Sequence, residues 1–189
     1  MRKVALLVVL MIATIPALGL TQVEKAAEQM RETMEAIVEM GYPTILIYPN
    51  SDAGGRRMIE VIRQSENYSF IKTFVNLPRR DYLGLMKMAS VIVGNSSSAV
   101  IDAPSFGLPA VNIGIRQEGR ERGKNVIDIG HSKQEVIDAV EEALTNKEFL
   151  KEVRRCENPY GDGKASQRIT EILSTMEITP QLMQKKFIS

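Results

Sequence analysis

At 189 residues, the chain has room for one domain with a full core, and its 44% hydrophobic and 25% charged residues are ordinary for a soluble globular protein. A formal net charge of +1 argues against nucleic acid or an acidic macromolecule as partner, so anion binding must be local. The single Cys156 excludes an intrachain disulfide and suits a reducing, cytoplasmic setting. The single His131 excludes a His/Cys metal cluster, and neither a metal nor a cofactor is expected.

Arg2 and Lys3 precede an apolar run that continues to Ala13. That beginning resembles a secretory signal, but it is short for a membrane span, which needs about 20 apolar residues. A buried first strand over 4–10 is the preferred reading, because a helix and a second strand follow at α/β spacing. No membrane association is expected. Thr21 and Glu24 stand as a capping-box pair. Val23, Ala26, Ala27, Met30, Met34 and Ile37 then recur at helical spacing until Gly41 and Pro43 end a helix over 22–40.

Strands are predicted at Thr44–Tyr48, Phe70–Phe74, Ser90–Val93, Pro109–Ile113 and Val126–Ile129. Helices are predicted at 56–64, 79–88, 97–106, 132–144, 147–155 and 164–175. Repeated β-then-α units with short connections imply a doubly wound, mostly parallel sheet with helices on both faces. Residues 1–177 read as one Rossmann-like domain and 178–189 as a tail.

Ligands of such sheets bind where strands end at their carboxyl termini. One such end is Gly94-Asn95-Ser96-Ser97-Ser98. A glycine followed by three serines entering a helix suits a phosphate, although a single serine there would serve as an ordinary cap. Asp102 lies four residues after Ser98, on the same helix face. It suits a ribose diol, or it simply faces solvent. The stretch Gly114 to Lys124 holds Arg116, Arg120 and Arg122 among three glycines. It is either a solvated charge run or a lid over a diphosphate. Asn50 to Gly55 reads as a turn, and His131 as a surface residue.

Taken in order, Asn50-Ser51-Asp52-Ala53-Gly54, Asn76-Leu77-Pro78, Gly94-Asn95-Ser96-Ser97-Ser98, Phe106-Gly107-Leu108-Pro109, Asn112-Ile113-Gly114-Ile115-Arg116-Gln117, Gly119-Arg120-Glu121, Asn125-Val126 and Tyr160-Gly161-Asp162-Gly163 resemble the hydrolysing UDP-N-acetylglucosamine 2-epimerases. The resemblance implies the carboxyl-terminal, UDP-binding half of a GT-B architecture. By motif it implies Ser96 and Ser97 on the diphosphate and Asp102 on the ribose, where the family has a glutamate. Val75, Asn76 and Leu77 would line the uracil through backbone, with Asn50 and Arg116 near diphosphate and sugar. The implied reaction eliminates UDP to a 2-acetamidoglucal and adds water to give N-acetylmannosamine, a sialic acid precursor in amino-sugar metabolism. Its acid and base carboxylates belong to the family's amino-terminal half, and its His-Pro-Thr motif corresponds here to Met11-Ile12-Ala13-Thr14. No catalytic residue is therefore assigned in this chain. The implied partners are UDP or a UDP-sugar and a separate amino-terminal-domain chain or a homo-oligomer. Two competing readings are a non-catalytic UDP-sugar-binding module and an exported binding protein.

Overall fold

Apolar runs too short for helices, alternating with amphipathic stretches, bury both when strands pair and helices cover the sheet. The computed structural model, which describes residues 7–10, 20–49, 55–179 and 184, takes that form. Strands β1 (Leu7–Leu10), β2 (Thr44–Ile47), β3 (Ile71–Phe74), β4 (Val91–Gly94), β5 (Ala110–Ile113) and β6 (Val126–Ile129) form one sheet in the order β3-β2-β1-β4-β5-β6. Every pairing is parallel. The chain runs outward from β1 to β3 and returns to β4 on the other side of β1. The winding direction therefore reverses between β1 and β4, where open α/β sheets bind ligands.

Helices α1 (Leu20–Met40), α2 (Gly55–Gln64), α3 (Arg79–Met88), α4 (Ser98–Ile101), α5 (Lys133–Thr145), α6 (Lys147–Arg154) and α7 (Ala165–Thr175) complete the fold. Alternation along β4 sorts the two core layers. Val91 and Val93 pack with Met30, Met34 and Ile37 of α1, Met58 and Ile62 of α2 and Val136 and Val140 of α5. Ile92, between them, faces the opposite way toward Met86 of α3, Val100 of α4 and Leu108. All residues of β4 and β5 are buried, as expected of central parallel strands covered on both faces.

Residues 7–10 form an inner strand of the sheet, in line with the strand reading for part of the apolar start; residues 1–6 lie outside the described residues. Two local expectations are corrected. The first helix begins at Leu20, so Thr21 lies inside its first turn and is not the N-cap. The helix expected over 97–106 is instead the four-residue α4 followed by a 3-10 turn, Ala103–Phe106. Pro104 lacks the N–H that would bond the Val100 carbonyl, and its ring would crowd that oxygen. A capping box not anticipated from the sequence opens α5. The Ser132 hydroxyl accepts from the Glu135 N–H, and Glu135 accepts from the Ser132 N–H.

The chain divides into two compact units, Met1–Pro159 and Tyr160–Ser189. In the second, Arg168 donates to both carboxylate oxygens of Asp162, at 2.9 and 3.0 Å, and the Lys164 N–H donates to Oδ1 at 3.0 Å. The Arg168 contact, chiefly, holds the Asp162 carboxyl down at about 2. A depressed folded value means that the contact stabilises above the ordinary carboxylate range and is lost as pH falls through the folded value. Carbon-13 NMR of the Asp162 carboxyl should therefore show a midpoint near 2; a midpoint at the ordinary value would remove the pair.

Gly107 closes the 3-10 turn with φ 56 and ψ 37, a left-handed conformation that costs L residues about 1–2 kcal/mol. A Cβ there would meet nothing nearer than 3.6 Å, so the cost is conformational and not steric. Gly107→Ala should lose about 1 kcal/mol in chemical denaturation, and Gly107→Asn less. An Asn variant no better than Ala would contradict this.

Candidate functional site at the ends of β4 and β5

Strand β4 ends at Gly94, whose φ of 137 suits glycine and turns the chain across the sheet edge. Asn95 and Ser96 behind it are buried, each 6% exposed. The three serines, alike in sequence, are separated by the fold. The buried Ser96 hydroxyl accepts from the Ser98 N–H at 3.4 Å and shapes the turn. Ser97 occupies the N-cap position but makes no capping hydrogen bond, and it is half-buried. Its hydroxyl is thus not spent on the helix. A helix of only four residues carries little macrodipole, so anion affinity here rests on hydroxyl and N–H donors and less on the helix field.

The loop after β5 folds onto this turn. Arg116 Nη1 donates to the Asn95 carbonyl at 3.1 Å, and Gln117 Nε2 donates to the same oxygen at 2.7 Å. Gln117 is 1% exposed. Sequence alone quoted Gln117 without a role, yet it is the innermost link between the two loops.

The lid reading of Gly114–Lys124 is only partly compatible with the geometry. Arg122 turns inward. Its Nε lies 3.0 Å from Asp128 Oδ2, and its Nη1 donates to the Gln117 and Arg120 carbonyls at 2.7 and 2.6 Å. Asp128 Oδ1 also accepts from Asn112 Nδ2 at 2.6 Å. Arg122 therefore braces the loop, whereas Arg120 is exposed. Behind them, buried Asn125 donates to the Leu108 and Ala99 carbonyls at 3.0 and 3.4 Å. A Cβ on Gly123 would fall 2.6 Å from Asn125 Oδ1, which explains glycine there by close approach.

Asp102 caps the end of α4, and its N–H donates to the Ser98 carbonyl at 3.0 Å. The two do share a helix face. The Asp102 carboxylate meets Arg79 Nη2 at 3.4 Å. Beside them the Tyr82 hydroxyl is raised to about 12, mainly by burial, with the Asp102 charge adding to it; it lies near Ser98 without full hydrogen-bonding geometry. Val75 and Asn76 are exposed and Leu77 half-buried at the end of β3. Three strand spacings separate β3 from β4, roughly 14 Å, so only the start of α3 carries this strip back toward Asp102. Asn50 and the Met11–Thr14 stretch lie outside the described residues.

Next to the site, a cleft of about 1010 Å³ is lined by Lys25, Glu28 and Gln29 of α1, by Gly114, Ile115 and Arg120, and by Asp128 and His131 among others. It shares the 114–122 loop with the serine turn, but no serine of that turn lines it. His131 is exposed there. Among the described residues no cluster of three or more His, Cys, Asp or Glu side chains could hold a metal.

The sequence matches the UDP-N-acetylglucosamine 2-epimerase family over residues 14–174. The chain belongs to that family. It is 34% identical over 164 residues to the hydrolysing UDP-N,N'-diacetylbacillosamine 2-epimerase of Legionella pneumophila, covering 87% of this chain and 42% of the relative. A Campylobacter jejuni GDP/UDP-N,N'-diacetylbacillosamine 2-epimerase is 40% identical over 102 residues, 53% of this chain and 26% of that one. In fold the chain is similar to Neisseria meningitidis UDP-GlcNAc 2-epimerase, solved with UDP-GlcNAc. The TM-score is 0.69 at 19% identity, covering 91% of this chain and 45% of that structure. The chain thus spans less than half the length of these epimerases and has the fold of one Rossmann-like half of their GT-B architecture.

If Arg122 braces the loop, Arg122→Ala should speed amide exchange over 116–121 by at least about ten-fold. The melting temperature should stay nearly unchanged, because the Arg122–Asp128 pair is partly exposed. Exchange equal to the parent's would remove the bracing role.

Proposed function

We propose that the chain is the UDP-binding half of a hydrolysing UDP-N-acetylglucosamine 2-epimerase-like enzyme. The observation that carries this is the Asn95 carbonyl shared by Arg116 and Gln117. It draws the serine turn and the arginine-bearing loop into one anion site beside the point where the sheet's winding reverses.

In this reading Ser96 and Ser97 hold the diphosphate, with Ser97 offering the uncommitted hydroxyl. Arg116 and Asn50 lie toward the diphosphate and sugar, Asp102 takes the ribose, and Val75, Asn76 and Leu77 receive the uracil. The reaction breaks the C1–O bond to UDP as a proton leaves C2, giving a 2-acetamidoglucal. Water then adds to give N-acetylmannosamine. This chain's residues bind and orient the leaving UDP, and the charge that develops on it is met by the hydroxyl and N–H donors of the turn and by Arg116. Proton removal and water addition belong to acid and base groups of an amino-terminal half, on a separate chain or contiguous with this one. The relatives' names support 2-acetamido sugars as a class, and the Campylobacter name admits GDP beside UDP for that protein. A cytoplasmic location suits nucleotide-sugar chemistry. Among the described residues no helix is long and apolar enough to cross a membrane.

Calorimetry with UDP tests the binding role. The parent chain should bind weakly, and Ser97→Ala should weaken it by about ten-fold, as for one lost hydrogen bond to a charged group. No heat from the parent would end the proposal, as would a Ser97→Ala variant that binds as well as the parent. The chain alone should release no N-acetylmannosamine from UDP-N-acetylglucosamine; release would show that it carries its own acid and base. The second reading, a non-catalytic module, is favoured if activity stays absent when the amino-terminal half of the Legionella relative is added.

A further inference from the structure

Strip 75–77 and Asp102 belong to different elements, and one side chain joins them. Pro78, at φ −54 and ψ 141, opens α3, and Arg79 is its first residue. Arg79 therefore follows the exposed strip directly. Its Nη2 lies 3.4 Å from Asp102 Oδ1. One turn further, Tyr82 buries its hydroxyl beside Ser98. Residues 79 and 82 share a face of α3, and residues 98 and 102 share a face of α4. The start of α3 is thus registered against α4 at two points, one at each end of that short helix. The inner point is buried and serves packing. The outer is different in kind: the Arg79 side chain is 72% exposed, while Asp102 is 21% exposed.

A long, single-contact pair at the surface adds little to folding, but it fixes where a carboxylate points. We propose that Arg79 is a positioning residue for the ribose, holding the Asp102 carboxylate where it accepts from the nucleotide's 2′,3′-diol and tying that contact to the strip before α3. The inference rests on the UDP-binding reading above. It gives Arg79, which no motif singled out, a part in recognising a ribonucleotide over its deoxy form. Arg79 acts through Asp102, so its removal should be felt only by ligands that carry the diol.

The test is calorimetry of the full chain with UDP and with 2′,3′-dideoxy-UDP, for the parent, Arg79→Ala, Arg79→Lys, Asp102→Ala and the double variant. Arg79→Ala should weaken UDP about five-fold and change 2′,3′-dideoxy-UDP by less than about two-fold, and Arg79→Lys should recover most of the loss. The double variant should bind UDP no worse than Asp102→Ala alone, since the two residues act as one unit. Equal losses for both ligands, no loss at all, or additive losses in the double variant each overturn the proposal. A parent chain that binds UDP in a Ser97-dependent way but shows none of this pattern sinks only the Arg79 role. A parent that does not bind UDP sinks both. Unchanged melting of Arg79→Ala shows that the fold is intact in the comparison.

Discussion

The site depends on how one buried carbonyl is satisfied. Where β4 passes into α4, the Ala99 N–H donates to the Ser96 carbonyl, and the Asn95 oxygen just before it is reached from the next loop. A buried carbonyl left unpaired costs about as much as a lost hydrogen bond. Gln117 and Arg116 supply the donors from the next loop. That loop is in turn held through Arg122 on Asp128 of β6, and Asp128 is fixed by Asn112 of β5. A continuous hydrogen-bonded path thus runs from the sheet edge to the serine turn, partly exposed at Arg122 and Asp128 and buried at Gln117, where a bond is electrostatically stronger than in water. The two loops are thereby tied to each other through the Asn95 carbonyl.

The same economy governs α4. Cut short by Pro104, the helix cannot rely on a long ladder, and its carbonyl at Ala99 is taken by Asn125, which also holds Leu108. The side chain between Gly123 and Cys156 therefore acts as a staple under the turn. On the proposed function, charge at the opening would be met by specific donors, Ser97 and Arg116 above all, more than by a helix field. A site of that kind discriminates by geometry, since hydroxyls and a guanidinium reward only oxygen atoms placed within their reach.

Much of this was readable in the sequence, for identifiable reasons. Strands β4 and β5 are legible to within a residue because they are short, mostly apolar runs, interrupted in β5 by Asn112, a pattern that survives without tertiary information. The doubly wound parallel sheet followed from the alternation of elements, and the family from ordered motifs around them. What failed was local competition. Thr21 and Glu24 have the spacing of a capping box, but the helix starts at Leu20, two residues before the expected first residue. Ser132 and Glu135 have the same spacing and do form one. The 97–106 stretch has helical periodicity, and Pro104 overrides it. The pairing of Arg122 with Asp128, six residues on, depends on how the loop turns into β6, which spacing alone does not reveal. Gln117 and Arg79 escaped notice for the same reason. Asp162 stood within a recognised motif, but its pairing with Arg168 needed the turn of α7.

Two large apolar side chains stand in water on the carboxyl edge of the sheet and bear on how open the proposed site is. Val75, at the end of β3, is 78% exposed, and Ile115, in the loop after β5, is 82% exposed. Both stand on the carboxyl edge of the sheet, flanking the serine turn on either side. A diphosphate bound on such an open edge keeps much of its water, and donors facing solvent stabilise a leaving group far less than the same donors in a dry site. Under the proposed function, elimination would need that stabilisation when the bond to UDP breaks, with a base held against C2 at the same moment. Covering the edge would bury Val75 and Ile115 and expel water from the turn. On the proposed function, this open edge with its exposed apolar side chains is the surface that closure with the other half would cover.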